Sequence, residues 1–170
     1  ADDTQNTVNV TWSIGRATIS VPAQSGTLTY TGSALTPGWS NYDSNKITIG
    51  GTTSGTNAGS YNASFTPKVN YRWSDGTITA KTVSWSIGKA AGSLSISPTT
   101  AALTSVNATK AITVTRSGNG AISATSSKTS VATVSVSGNT VTVTAKADGT
   151  ATITVKVAAG TNHNIPADKT

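Results

Sequence analysis

Two residue types in this chain could do chemistry by acid–base or nucleophilic routes, and both are scarce. His163 is the only imidazole, and the six acids, Asp2, Asp3, Asp43, Asp75, Asp148 and Asp168, are all aspartates. A nucleophile triad needs a base held beside a hydroxyl, but His163 lies in Thr161-Asn162-His163-Asn164-Ile165-Pro166, after the last strand-like run. It reads as a solvated side chain in a loop or tail. Glycoside hydrolysis needs two facing carboxylates. Asp2 and Asp3 are at the terminus, and the other four sit in turn or linker contexts where Asp bonds the local backbone, with no obvious partner. No Asp-x-Asp-Gly calcium loop occurs, and the absence of Cys excludes disulfides, zinc fingers, iron–sulfur clusters and thiol nucleophiles. The expectation is a non-enzyme with no catalytic, cofactor-binding or metal residues. With Glu absent, an acid-assisted Lys–Asn crosslink is not expected either.

The aromatic residues could instead recognise a ligand, because sugar-binding surfaces use the faces of Trp and Tyr. Trp39 and Tyr42, in Pro37-Gly38-Trp39-Ser40-Asn41-Tyr42-Asp43, are close enough to form a loop patch, or a plug at the open end of a core. Trp73 shares a strand face with Tyr71 and Val69, which favours the core, though its place before Ser74-Asp75-Gly76 puts it near one end of the sandwich. These three are the candidate recognition residues. Trp85, flanked by Val83 and Ile87 on one face, reads as core.

Charge adds little to these options. The net charge is +6, from 12 Lys and Arg against 6 Asp, but Lys46, Lys68, Arg72, Lys81, Lys89, Lys110, Arg116, Lys128, Lys146 and Lys156 are dispersed. Nucleic-acid binding uses a clustered patch that releases several counterions together, so none is expected. No apolar run approaches the ~20 residues of a membrane-spanning helix, and no basic-then-apolar leader is visible. Membrane insertion is not expected. Ser and Thr make up about a third of the 170 residues. Alternation of Val, Ile and Thr with low charge sets the chain apart from disordered sequences. The outward Thr rows, and the three sequons beginning at Asn9, Asn62 and Asn107, are ordinary in such a composition.

A repeat organises the chain. Val10-Thr11-Trp12-Ser13-Ile14-Gly15-Arg16-Ala17 recurs 73 positions later as Val83-Ser84-Trp85-Ser86-Ile87-Gly88-Lys89-Ala90, and Asp2 falls on Asp75 at the same offset. The expected organisation is a closing strand of an upstream repeat at residues 1–15, a complete repeat at 16–90, a second domain at 91–160 and a linker or tail at 161–170. The joint Gly88-Lys89-Ala90-Ala91-Gly92 is short, which implies domains end to end. In the first strand, Val8, Val10, Trp12 and Ile14 form one apolar face. Leaving that face in water would forfeit several kcal/mol at roughly 25 cal/mol per Å². It is expected to complete a sandwich in the preceding repeat or in another subunit by strand donation, and burial of Trp12 within its own domain would contradict that.

Period-2 alternation dominates elsewhere. Tyr61-Asn62-Ala63-Ser64-Phe65, Val69-Asn70-Tyr71-Arg72-Trp73 and Val83-Ser84-Trp85-Ser86-Ile87 read as half-buried strands. In the second half, Leu94 with Ile96, Ile112 with Val114, Val141 with Val143 and Ala145, and Ala151 with Ile153, Val155 and Val157 form inward rows. Turn signals such as Ser25-Gly26, Ser74-Asp75-Gly76, Ser137-Gly138-Asn139 and Ala147-Asp148-Gly149 separate them. The pattern of about seven short strands per domain predicts an all-β protein of antiparallel β-sandwiches.

The segment Ser130-Val131-Ala132-Thr133-Val134, followed by Val141-Thr142-Val143-Thr144-Ala145 and by Gly149-Thr150-Ala151-Thr152-Ile153, resembles the group 2 bacterial immunoglobulin-like family across residues 94–157. The Trp-Ser-Ser stretch usual before the Val-Ala-Thr-Val strand has no Trp here. The first repeat, with Tyr30-Thr31-Gly32-Ser33-Ala34-Leu35, Asn57-Ala58-Gly59-Ser60-Tyr61 and the closing Trp-Ser-Ile-Gly, is similar to other bacterial immunoglobulin-like repeats. The resemblance implies two tandem immunoglobulin-like sandwiches in a multi-repeat bacterial cell-surface or secreted protein, serving as a stalk or adhesion segment. Two alternatives are a phage virion module touching host-surface glycans and a carbohydrate-binding module of a secreted glycosidase. The implied partners are neighbouring repeats or subunits, with cell-surface glycans or proteins as possible contacts.

Overall fold

A computed structural model describes residues 8–170. The described residues are all β, with no helix. In chain order the strands are β1 Ala17–Ile19, β2 Ala23–Ser25, β3 Leu28–Thr29, β4 Gly38–Ser40, β5 Ile47–Gly51, β6 Gly59–Pro67, β7 Tyr71–Trp73, β8 Lys81–Gly88, β9 Leu94–Ser97, β10 Thr109–Arg116, β11 Ile122–Ser126, β12 Ala132–Ser137, β13 Thr140–Ala145 and β14 Ile153–Val157.

The contacts divide the chain into two compact units. Among the described residues, one comprises those from 8 to 25, Pro37–Thr53 and Asn62–Trp85; the other comprises Gly26–Thr36, Ser54–Tyr61 and Ser86–Thr170. Unlike the division expected from the repeat, this one is discontinuous. Residues 26–36 and 54–61 group with the C-terminal part through pairings that no local pattern announces: the Tyr30 N–H donates to the Gly88 carbonyl at 2.9 Å and the Ala58 N–H to the Asn162 side chain at 2.8 Å, while Leu35 and Gly55 tie the two segments together with backbone hydrogen bonds of 2.8 and 3.0 Å.

In the first unit, β5 and β6 pair antiparallel with Ile49 opposite Phe65, β2 and β4 pair antiparallel with Gln24 opposite Trp39, and β1 runs parallel to β7 with Ile19 opposite Trp73. Alternation along β6 sends Ala63 and Phe65 inward, where they are fully buried with Ile47, Trp73 and Trp85. One glycine is required where β5 meets β6, and a second sits close beside it. Gly51 has φ +72°, and a Cβ there would come within 2.9 Å of the Asn62 carbonyl oxygen. A Cβ on Gly50 would press on Ser64 Oγ at 3.2 Å.

The second unit has a four-stranded sheet ordered β12-β13-β10-β9 and a two-stranded sheet β11-β14, with antiparallel pairing throughout. Leu94, Ile112, Val114 and Val141 from the larger sheet and Val155 and Val157 from the smaller one form a single buried cluster. Two sheets burying one face each against a shared core is consistent with a β-sandwich.

The sequence reading is corrected in two places. Val69 is 79% exposed and sits in a turn, so it does not share the inward face of Tyr71 and Trp73; the Tyr71 N–H closes that turn onto the Lys68 carbonyl at 2.9 Å. Residues 161–170 are not a free tail. His163 bridges Ala90, Lys169 exchanges hydrogen bonds of 2.7 and 3.0 Å with Val155, and Pro166 is buried.

Candidate functional site

The three candidate recognition residues separate. Trp73 is fully buried and its indole N–H donates to the Thr79 carbonyl at 2.9 Å, so it presents no face to a ligand. This is the core position that its strand face favoured, and it removes Trp73 from the candidate recognition residues: the short β7, paired on β1, places the ring in the core of the first unit. Trp39 and Tyr42 do come together, both on Phe65. The Trp39 ring meets Phe65 edge-on at 4.8 Å and 77°, and the Tyr42 ring lies at 5.8 Å and 60°. Both are half-buried. They are a lid on a buried ring with their outer edges in water, the plug arrangement rather than an open platform.

Among the described aspartates, Asp43, Asp75 and Asp148 lie at or beside turns and bends, as expected, but Asp43, Asp75 and Asp168 have cationic partners that the sequence reading missed. Asp43 accepts the Asn45 N–H at 2.9 Å and pairs with Lys46 at 3.1 Å. The backbone hydrogen bond, then Lys46, holds its carboxyl below the ordinary value. Asp75 accepts the Thr77 hydroxyl at 2.7 Å and the Thr77 N–H at 3.0 Å, and pairs with Lys81; the Lys81 ammonium, then Thr77, holds this carboxyl well below the usual range. Asp168 pairs with Lys156 at 2.9 Å. Each of these three carboxylates is engaged locally by a lysine, and none faces a second carboxyl group, the pairing that acid–base hydrolysis would need. Among the described residues no group of three His, Cys, Asp or Glu side chains could hold a metal ion.

His163 also departs from expectation. It is half-buried, with its ring edge-on to Tyr30 at 5.4 Å and 77°. Its Nδ1 is buried without a hydrogen-bond partner. The base-orienting hydrogen bond of a triad is therefore not made at that nitrogen. Gly118, at φ +74°, leaves room for the ring: a Cβ there would lie 2.7 Å from Nδ1. The neighbours form a ring of amides and hydroxyls. Asn162 Nδ2 donates to Asn57 Oδ1 at 3.0 Å. Asn119 Oδ1 accepts the Thr161 N–H at 2.9 Å, and its Nδ2 donates to the Thr161 hydroxyl at 3.1 Å. Lys89 Nζ donates to the Gly160 carbonyl at 2.7 Å. A shallow cavity of about 300 Å³ opens between these groups. Because the amides bond one another across roughly a hundred positions of sequence, the cluster is chiefly a clasp holding the C-terminal residues to the second unit. Sequence reading had no signal for it.

A second feature it missed is an open cleft of about 700 Å³ at one end of the second unit, with Ile96, Ile112, Val143 and Ile153 in its wall and Lys110 and Thr152 among its polar lining.

The remaining candidate is the apolar face of the first strand. Residues 8–16 belong to no strand, and Val8, Val10, Trp12 and Ile14 are 78%, 64%, 86% and 100% exposed. Trp12 is not buried in its own unit. The second copy of the octapeptide differs in both pairing and exposure. It lies in β8, where Trp85 and Ile87 are each 2% exposed and the Trp85 indole N–H donates to the Thr52 carbonyl at 2.7 Å. The part of the expected strand before residue 8 lies outside the described residues.

No protein-family model, curated protein or solved structure matches this chain. The functional reading therefore stands on the residues.

Proposed function

We propose that this chain is a non-enzymatic structural segment, a stalk or spacer built of tandem immunoglobulin-like sandwiches in a multi-repeat bacterial cell-surface or secreted protein. One observation carries this reading. The octapeptide whose first six residues lie in β8 recurs at residues 10–17, where all but its last residue lie outside any strand and Trp12 and Ile14 are exposed, which is the mark of a chain built from repeated units. Low charge, Thr-rich outward strand faces and locally engaged aspartates support a role that is mechanical rather than chemical. The resemblance of residues 94–157 to group 2 bacterial immunoglobulin-like domains points the same way. A virion module built on the same repeats would share these features.

The rival reading as a carbohydrate-binding module has lost Trp73 and retains only the outer edges of Trp39 and Tyr42. A glycan array probed with the full chain separates the two. A spacer gives no saturable binding. Saturable binding that Trp39→Ala abolishes while the fold persists would replace the spacer reading with recognition.

A further inference from the structure

We propose that residues 8–15 are the closing strand of another β-body, one of the kind that β8 closes in this chain, with Trp12 filling the slot that Trp85 fills here. The inference rests on the reading above that the chain is a run of repeated units.

β8 shows what such a strand must supply. It needs apolar residues at alternate positions, because Trp85 and Ile87 point into the core while Thr82, Ser84 and Ser86 face outward. It needs an indole donor for the Thr52 carbonyl, and a hydroxyl at position 84, where Ser84 Oγ bonds Asn62 Oδ1 at 2.8 Å. It ends on a glycine, Gly88, which lies against the Leu28 carbonyl oxygen. Residues 8–15 meet each requirement in register. Val10, Trp12 and Ile14 match Val83, Trp85 and Ile87, Thr11 keeps the hydroxyl of Ser84, and Gly15 matches Gly88.

The exposed face has no partner of its own among the described residues, as the 86% and 100% exposure of Trp12 and Ile14 shows. The occupant follows from the same comparison. A copy of this chain with its own β8 in place has that slot filled, because Trp85 and Ile87 occupy it almost completely. The partner is therefore a body like that of residues 16–80 whose closing position is open. Binding would be by strand addition, with main-chain hydrogen bonds giving affinity and the Trp slot giving specificity.

The test adds an acceptor to the intact chain. A second copy of residues 16–80 is fused directly ahead of Val8, so that Val8 follows Ala80 as Lys81 does in the native chain. A control fusion carries residues 81–88 in place of 8–15. In the first fusion, amide exchange over residues 8–15 is expected to slow by roughly a hundredfold or more relative to the unextended chain, and Trp12 to become inaccessible to acrylamide. Trp12→Ala should restore fast exchange over residues 8–15 in the fusion while leaving exchange in the unextended chain unchanged. If residues 8–15 still exchange freely while the control folds, the inference is overturned and the repeated-unit reading stands. If the control also fails to fold its added body, residues 16–88 are not a module, and that reading falls with the inference.

Discussion

The two copies of one octapeptide, at residues 10–17 and 83–90, have opposite fates in the same molecule. In β8, Trp85 is buried with its N–H on a carbonyl; at residues 10–15 the matching Trp12 stands in solvent. Six of the eight positions are identical and the other two exchange Thr for Ser and Arg for Lys, so propensity and alternation cannot account for the difference. What differs is the company. Around β8 the chain supplies β6 on one side, β3 on the other and Thr52 within reach of the indole. Strand alternation is thus a licence to pair, and burial follows only where a neighbouring sheet offers an open edge and a slot.

The largest effect should come from emptying the occupied slot. Trp85→Ala is expected to cost about 3–5 kcal/mol in denaturant unfolding, through lost burial and the cavity left behind. The same change at Trp12 should stay within about 0.5 kcal/mol, as for exposed positions generally. Comparable losses at the two sites would mean that residues 8–15 are packed in solution.

Trp85→Phe sharpens the contrast by keeping most of the apolar ring while removing the donor to Thr52. Its expected cost is roughly 1–3 kcal/mol, that of leaving a carbonyl in a partly buried site without its partner. Trp12→Phe should leave stability unchanged while removing the most acrylamide-accessible part of the fluorescence.

A smaller difference concerns charge. Asp75 pairs with Lys81, the first residue of β8, whereas the position matching Lys81 in the first copy is Val8, so this ion pair belongs to one copy only. The Asp75 carboxyl is depressed in the folded state. Its stabilising contribution is therefore complete above the unfolded value near 3.9 and is lost as pH falls below it toward the folded value. Asp75→Asn should lower Tm at pH 7, and the gap from the parent protein should narrow below about pH 4. A gap that widens in acid would contradict the assignment. Smallest of all, Ser84→Thr, which writes the first copy's residue into β8, should change stability by less than about 0.5 kcal/mol. A larger loss would show that the two strands are not interchangeable and would weaken the proposed strand addition.

Much of this molecule was legible before its structure. Alternation located β6, β8, β10, β13 and β14 and the inward rows Ile112 with Val114 and Val155 with Val157, because period 2 records directly which side of a pleated strand is buried. It also placed Trp85 in the core. Alternation failed at Val69, where a turn interrupts the apparent strand, and it left Trp73 divided between core and surface, since a strand end looks the same either way. The clasp around His163 left no local trace. Asn57, Asn119, Asn162 and Tyr30 are unremarkable loop residues singly, and only chain topology brings them together.

By itself the sequence determined the all-β class, the positions of most strands, the repeat, and the lack of Cys and Glu that removes thiol and Glu-based chemistry. Each of these is local or compositional, fixed by residue type and spacing alone. The tertiary structure decided which copy of the octapeptide is buried, where Trp73 points, how residues 26–36 and 54–61 join the C-terminal part, and that the last ten residues are held. Those outcomes depend on edges and slots supplied by residues tens to a hundred positions away, which no short window of sequence contains.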